Sequence, residues 1–406
     1  MIILSLSLIA PLYSFSGGDG SSSNPYQVGS CVDLDNISNY LTDNFIQISD
    51  IDCNVAAYNS GSGFDPIGGI FTGVYNGSGY VISNLFINRP STDNVGLFGR
   101  TGSGAILKNI SLENINITGK NTVGGLVGHN NDGGNVFNSY ATGYVAGDMA
   151  IGGLVGISFS SNISNSFATG DVVGGIGEVG GLVGQSVYGD ILNSYASSTV
   201  SGNDEVGGLV GDNAFGEIIN SYSYSNVSAN DRVGGVAGYI YNGKISNSYS
   251  YSNISGNLGV GGIVGYTNGG GNVSNSYSLG AVSGSSNVGG LVGNNFGIIS
   301  NSLWLNNSNN PSTGIGSDSN SQTVLAESDI TYFYDDLNSP MDVWNLSVWD
   351  FSGTGLPTLL WNSNGNSGSI IPSVVNNSSP SPLTNLPSFG FWSSVVVAGC
   401  VIGFLI

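Results

Sequence analysis

Charge is what this 406-residue chain has least of: Asp, Glu, Lys and Arg make up 8% of it, against about a quarter in ordinary globular proteins. Only 6 residues are Lys or Arg against 26 Asp and Glu, a net charge of −20. No basic stripe exists, which makes nucleic acid and anionic lipid headgroups poor partners, and no nucleic acid is expected. A single histidine, His129, excludes His-rich zinc sites and argues against a His-based catalytic triad. Cysteine is almost as scarce, with Cys31, Cys53 and Cys400 the only three.

Glycine (66 residues), Asn, Ser and Tyr fill the space that charge leaves, and they fill it periodically. A refrain begins at Val95-Gly-Leu-Phe-Gly99 and returns every 27 or 28 residues. It recurs as Val123-Gly-Gly-Leu-Val-Gly128 and Ile151-Gly-Gly-Leu-Val-Gly156, then from Val179, Val206, Val233, Val260 and Val288. A second phrase follows at near-fixed distance, from Asn138-Ser-Tyr140 through Asn165, Asn193, Asn220, Asn247 and Asn275 to Asn301-Ser-Leu303. Such self-similarity means stacked units, none able to bury its apolar face alone. Three short β-like pieces per unit, separated by glycine turns, predict an all-β fold: a right-handed parallel β-helix solenoid of eight or nine coils over residues 63–304.

The columns of that solenoid take distinct jobs. Leu and Val of each refrain form one core wall, and Val136, Ile163, Ile191, Ile218, Ile245 and Val273 form another. The Asn column predicts a ladder, each side chain bonding the turn of the next coil. Parity with the Ile/Val column points the aromatic column Tyr140 to Tyr277 inward, although a kink at Asn would reverse it. Residues 17–62, with a short amphipathic helix from Cys31, are expected to cap one end. Residues 305–361, which hold three of the five tryptophans, are expected to cap the other.

Both termini carry processing signals. Residues 1–16 read as a secretory signal peptide cleaved near Gly17. Residues 362–388 read as a Ser/Asn/Pro-rich stalk, and the uncharged apolar run 389–406, which contains Cys400, as a membrane anchor or the signal for a lipid anchor. Export in turn favours one disulfide between Cys31 and Cys53. Among the Asn-x-Ser/Thr sequons, Asn116, Asn226, Asn253 and Asn306 are glycosylation candidates.

The refrain resembles the GLUG motif family, named for Gly-Leu-hydrophobic-Gly. Gly125-Leu-Val-Gly128, Gly153-Leu-Val-Gly156, Gly181-Leu-Val-Gly184, Gly208-Leu-Val-Gly211 and Gly290-Leu-Val-Gly293 carry the likeness. Asn24-Pro-Tyr-Gln-Val28, Asp50-Ile-Asp-Cys53 and Leu356-Pro-Thr-Leu359 resemble the flanks of the same proteins. The resemblance implies a surface or secreted protein, often adhesin-like. The motif also stands beside the peptidase of some immunoglobulin-cleaving enzymes, without carrying catalysis itself.

Chemistry is sparse. Gly175-Ile-Gly-Glu-Val-Gly180 matches the dinucleotide fingerprint in letters, but no helix pattern follows it, so no cofactor is expected. His129 falls in a slot shared with Arg100, Gln185, Asp212 and Tyr239, expected to be a solvent-facing turn position. Stacking brings Glu178 and Glu205 into one slot, with Arg232 next, and Asp204 and Asp231 into the slot before. Such carboxylates suit Ca²⁺ or an acid/base pair acting on polysaccharide; the plainer reading is a solvated, turn-forming edge. The leading expectation is therefore a non-enzymatic cell-surface rod, membrane-attached through its C-terminal tail and presenting a surface to a protein or polysaccharide. No catalytic residue and no metal site is assigned. The alternatives are a carbohydrate-active enzyme using the Glu178/Asp204/Glu205/Asp231 edge, and a structural coat or sheath subunit.

Overall fold

A computed structural model of the chain describes residues 15–352 and 355–363. The expected stalk beyond residue 363 and the apolar run 389–406 lie outside the described residues, as does nearly all of the expected leader; residues 362 and 363 belong to the short helix Leu360–Ser363. No helix among the described residues is long and apolar enough to cross a membrane. The fold is all-β, a parallel β-solenoid. Three sheets run along it: an 11-stranded face, a 9-stranded face, and a 20-stranded face that takes two strands from many coils. The 9-stranded face contributes one strand per turn, from Phe98–Arg100 to Ile315–Asp318. Strands of successive coils pair in parallel, as in Val136 opposite Ile163 and Val206 opposite Val233.

Close approach explains the refrain. At Gly180 a Cβ atom would collide with the Val183 carbonyl oxygen, so the chain turns the corner only without a side chain. At Gly211 a Cβ atom would stand 2.5 Å from the carbonyl carbon of Glu178, one coil back. Between these glycines the apolar residues point inward. Leu126, Leu154, Leu182, Leu209, Val236, Ile263 and Leu291 are all fully buried. Each of the first three donates its N–H to the carbonyl of the next. At about 25 cal/mol per Å² of apolar area, these uninterrupted columns are the main stabilising term.

The Asn-Ser-Tyr phrase departs from the parity expectation. Each Asn of the column adopts left-handed backbone, with φ between 47° and 51°, a conformation that Asn tolerates better than most residues. That kink reverses the alternation, so the following Ser turns inward and the aromatic ring outward. Ser139, Ser166, Ser194, Ser221, Ser248, Ser276 and Ser302 are buried. Each Ser hydroxyl accepts a backbone N–H from the preceding coil, as Ser221 Oγ does from Ser194 N at 3.2 Å, and donates to the carbonyl two residues earlier in its own coil. The Asn ladder bonds amide to amide rather than to turn backbone. Asn193 Nδ2 donates to Asn165 Oδ1, and Asn220 Nδ2 to Asn193 Oδ1, both at 3.2 Å.

The outward rings stack continuously, with centroids 4.6 to 5.1 Å apart from Tyr140 through Phe167, Tyr195, Tyr222 and Tyr249 to Tyr277. The C-terminal segment covers half of this stack. It lies along the side of the rod as a strap, rather than only closing its end. Trp344 Nε1 donates to Asn301 O at 2.9 Å, Tyr277 OH to Pro357 O at 2.6 Å, and Trp361 Nε1 to Asn220 O at 2.8 Å. Trp349 packs against Tyr249 and Tyr277. The strap and the aromatic column form a second apolar cluster, separate from the solenoid core. Inside the core, the column of small residues Ala196, Ser223, Ser250 and Ser278 ends at fully buried Trp304, which fills the last coil.

At the other end parallel pairing begins well before residue 63. Tyr26–Val28 pairs with Asn44–Gln47, which pairs with Val74–Asn76. The helix Cys31–Asn36 bridges the first two, with Ser30 Oγ accepting from Asp33 N as its N-cap. Cys31 and Cys53 are joined in a disulfide, Cα atoms 5.4 Å apart. Phe15 stacks on Tyr26 at 4.5 Å and is buried, so the fold reaches into the last residues of the expected leader.

Candidate functional site

Repetition brings four carboxylates to one corner. Glu178, Glu205 and Arg232 occupy the same slot in successive coils, each with left-handed backbone (φ 51°, 53° and 49°). Asp204 and Asp231 precede them. Asp212 rises beside this corner from the strand Val210–Ala214 and was not part of the edge expected from the sequence. Arg232 is the one cation of the group. Its Nη1 lies 2.6 Å from Glu205 Oε1, its Nε donates to Asp204 Oδ1 at 2.8 Å, and its Nη2 contacts Asp204 Oδ2. The guanidinium also sits 5.5 Å above the Tyr239 ring.

One guanidinium does not balance this much negative charge. Burial, followed by the charge of Asp212, pushes the Glu205 carboxyl up to about 7, against the opposing pull of Arg232. Burial lifts Asp212 to about 6, although Gln185 Nε2 donates to its Oδ2 at 3.0 Å. Burial and the charges of Asp212 and Asp204 raise Glu178. Glu178 Oε2 and Asp212 Oδ1 are buried without a hydrogen-bond partner. Burial thus raises three carboxyls of this corner above the ordinary carboxylate range, the direction that acid/base chemistry uses. Asp231 accepts the Arg232 backbone N–H at its Oδ1, and its charge also acts on the guanidinium. No group of three or more His, Cys, Asp or Glu suited to a metal ion occurs among the described residues.

The other sequence candidates separate from this corner. His129 lies in the strand Val127–Asn131, half-buried beside Arg100 rather than in a solvent-facing turn, and burial with that neighbouring charge lowers its proton affinity. Gly175 to Gly180 belongs to the strand Phe167–Gly180, with no helix after it to receive a pyrophosphate. Asn116, Asn226 and Asn253 share one exposed, outward column, in the order Phe86, Asn116, Tyr144, Asp171, Thr199, Asn226, Asn253. Asn306 lies on its own just after the strand Leu303–Leu305, its N–H bonded to Glu327 O.

Two surface features have no counterpart in the sequence expectations. The first is a groove of 690 Å³ lined by Asn54, Asn59, Asn84, Asn114, Tyr144 and Asp171 among others. The second is an exposed aromatic row, Phe159, Tyr188, Phe215 and Tyr241, its ring centroids 4.7 to 6.0 Å apart. Tyr188 is 56% exposed, and both it and Phe215 have left-handed backbone. Only the register could have revealed either feature, because their residues lie in different columns and in coils of unequal length.

The GLUG motif matches three consecutive segments, residues 119–146, 147–173 and 175–201. Halomucin of Haloquadratum walsbyi is 42% identical over 154 residues, 36% of this chain and 2% of that protein. A protein of Evansella cellulosilytica named "Putative Gly-rich membrane protein" is 39% identical over 124 residues, 29% of this chain and 14% of that one. The chain thus spans a small fraction of the length of both relatives. Among solved structures, one titled as a "putative immunoglobulin A1 protease" from Bacteroides ovatus aligns over 86% of this chain at 20% identity, with a TM-score of 0.46. Period, register and motif agree: the chain carries consecutive copies of the GLUG motif between residues 119 and 201, and those copies form successive coils of the β-solenoid.

Proposed function

We propose that the chain is a non-enzymatic rod of the cell surface that presents a binding surface along its length. The observation that carries this reading is the division of labour between columns. Inward positions repeat Leu, Val, Ile and Ser from coil to coil, whereas the outward column from Phe86 to Asn253 changes identity at nearly every coil. A repeat scaffold with a constant interior and one varied, exposed outward column displays those side chains at fixed spacing. The names of the two relatives, a halomucin and a membrane protein, support a place at the cell boundary. Brief proteolysis of intact producing cells tests this: loss of the chain while cytoplasmic markers persist is the expected result, and full protection until lysis would refute it.

The raised carboxyls of the corner favour a second reading, a glycoside-cleaving enzyme that uses Glu205 and Asp212. Against it, Arg232 occupies Asp204 and Glu205, and the 690 Å³ groove lies among other residues. Turnover on a polysaccharide panel that disappears in Glu205→Gln would establish the enzyme and displace the rod.

A further inference from the structure

We propose that the groove bounded by Asn84, Asn114, Tyr144 and Asp171 binds a neutral, extended oligosaccharide. The inference deepens the display reading by naming the ligand class, and it rests on that reading only for access to such a ligand.

The groove exists because the solenoid changes its corner. In the early coils the chain turns through Asn84 and Asn114 in left-handed backbone, φ 57° and 54°. From Tyr140 onward it passes the same corner with one residue fewer, the register shifting between Ala141 and Gly143. Gly143 and Gly170 now stand at the bend (φ 137° and 119°), where a Cβ atom would strike the carbonyl of the preceding coil. Side chains that would continue the Asn column are therefore missing for two coils, and the space they leave is the groove.

Its walls are set before any ligand arrives. Asn84 Nδ2 donates to Asp52 Oδ1 at 2.8 Å, and Asn114 Nδ2 donates to Asn84 Oδ1. Each amide thus gives one N–H to the coil before, which fixes its orientation. Beyond Asn114 the next two coils line the groove with Gly143 and Gly170 instead of another amide. Asn54 and Asn59 also line the groove, joined by a 3.1 Å hydrogen bond, with the Asn54 N–H bonded to the same Asp52 Oδ1 that holds Asn84. The floor is the outward column, in which Asn116, Tyr144 and Asp171 are exposed in successive coils. Coils advance about 4.8 Å, close to the length of one pyranose residue in an extended glycan.

The chemistry of the lining selects the ligand. Amides and a carboxylate grip vicinal hydroxyls, and a tyrosine ring offers an apolar face with a polar edge. No Lys, Arg or His lines the groove, and Asp171 adds to a chain of net charge −20. Uronates, sulfated glycans, phosphates and nucleic acid are thereby disfavoured. A peptide adding as a β-strand finds no free ladder, because these strands are already paired on both sides by neighbouring coils.

Isothermal titration of the full chain with cellohexaose, mannohexaose and chitohexaose, and with a hyaluronan hexasaccharide as the anionic control, tests the proposal. At least one neutral hexasaccharide is expected to bind, with hyaluronan silent. Tyr144→Ala and Asp171→Asn should each weaken binding tenfold or more, while Tyr188→Ala, on the exposed aromatic row, leaves it unchanged. Both groove positions are exposed, so melting temperatures are expected to hold; if Tyr144→Ala melts early, Asp171→Asn decides alone. No binding by any neutral hexasaccharide, or binding that survives the deciding variants, overturns the groove. So does a native protein whose Asn116 carries its own glycan, detected by peptide mass. In all three cases proteolysis of intact cells still reports separately on the display reading.

Discussion

Replacing Arg232 with Gln tests whether one guanidinium holds the carboxylate corner together. Arg232 is 29% exposed along its side chain, with Asp204 at 30% and Glu205 at 15%. Breaking a fully buried pair costs about 3–5 kcal/mol, and breaking an exposed pair about 0–1 kcal/mol. Partial burial places the loss at about 2 kcal/mol at pH 8. That loss is pH-dependent with a definite sign. Glu205 and Asp212 hold protons in the folded state up to about 7 and about 6, well above ordinary carboxylates. The folded state therefore binds more protons than the unfolded chain between roughly pH 4 and 7, so the corner's contribution is full at low pH and declines as pH rises through those values. At pH 5 Glu205 is protonated in the folded state and needs Arg232 less, so the Gln variant should lose about 1 kcal/mol or less there. Solenoids unfold by neighbouring units, so native-state hydrogen exchange over residues 204–234, at pH 5 and pH 8, is the appropriate readout. Equal losses at the two pH values, or a larger loss at pH 5, would refute the account of this corner.

Other elements give sharper signals. Ser221→Ala leaves the Ser194 N–H buried without its acceptor and should cost about 1–3 kcal/mol in urea unfolding; a neutral effect would deny the Ser column its role. Tyr249→Ala removes a fully buried ring from the middle of the stack and should cost about 3–5 kcal/mol. Its fluorescence should shift to the red as Trp349 meets water, and an unshifted spectrum counts against the strap. Reduction of Cys31–Cys53, which closes a loop of sequence separation 22, should cost about 3 kcal/mol. The loss of exchange protection should concentrate at Tyr26–Val28 and Asn44–Gln47 rather than along the rod.

Period alone was enough to read the coils, because columns of Leu126 and Val136 type cannot be buried in any other stacking. It also placed Glu178 and Glu205 in one slot and put Arg232 next to them. Parity failed at Asn138 and its repeats: a single left-handed residue reverses every side chain after it, and Asn signals that kink only by tolerating it. The same reversal hid the strap. Outward rings need a cover, and the tryptophans of the C-terminal segment supply it from more than 40 residues away in sequence, as with Trp344 on Asn301. Asp212 was missed because it belongs to a different strand of the coil from Glu205 and meets it only through the tight glycine corner. The groove was invisible for a related reason, since it arises from one residue's difference in length between coils.

The route of the strap also decides where tension acts. Trp361 is held against Tyr222 and the Asn220 carbonyl, three coils short of Leu303. A pull on the chain from residue 364 onward therefore grips the rod partway along its flank instead of at its last coil. Before that force can peel the terminal coil it must strip Trp361 from Tyr222, then Pro357 from the Tyr277 hydroxyl, then Trp349 from Tyr249 and Tyr277, and last Trp344 from Tyr277. The open end of the solenoid, the natural starting point for unzipping, is shielded from load by a lateral clasp made of the chain's own tryptophans.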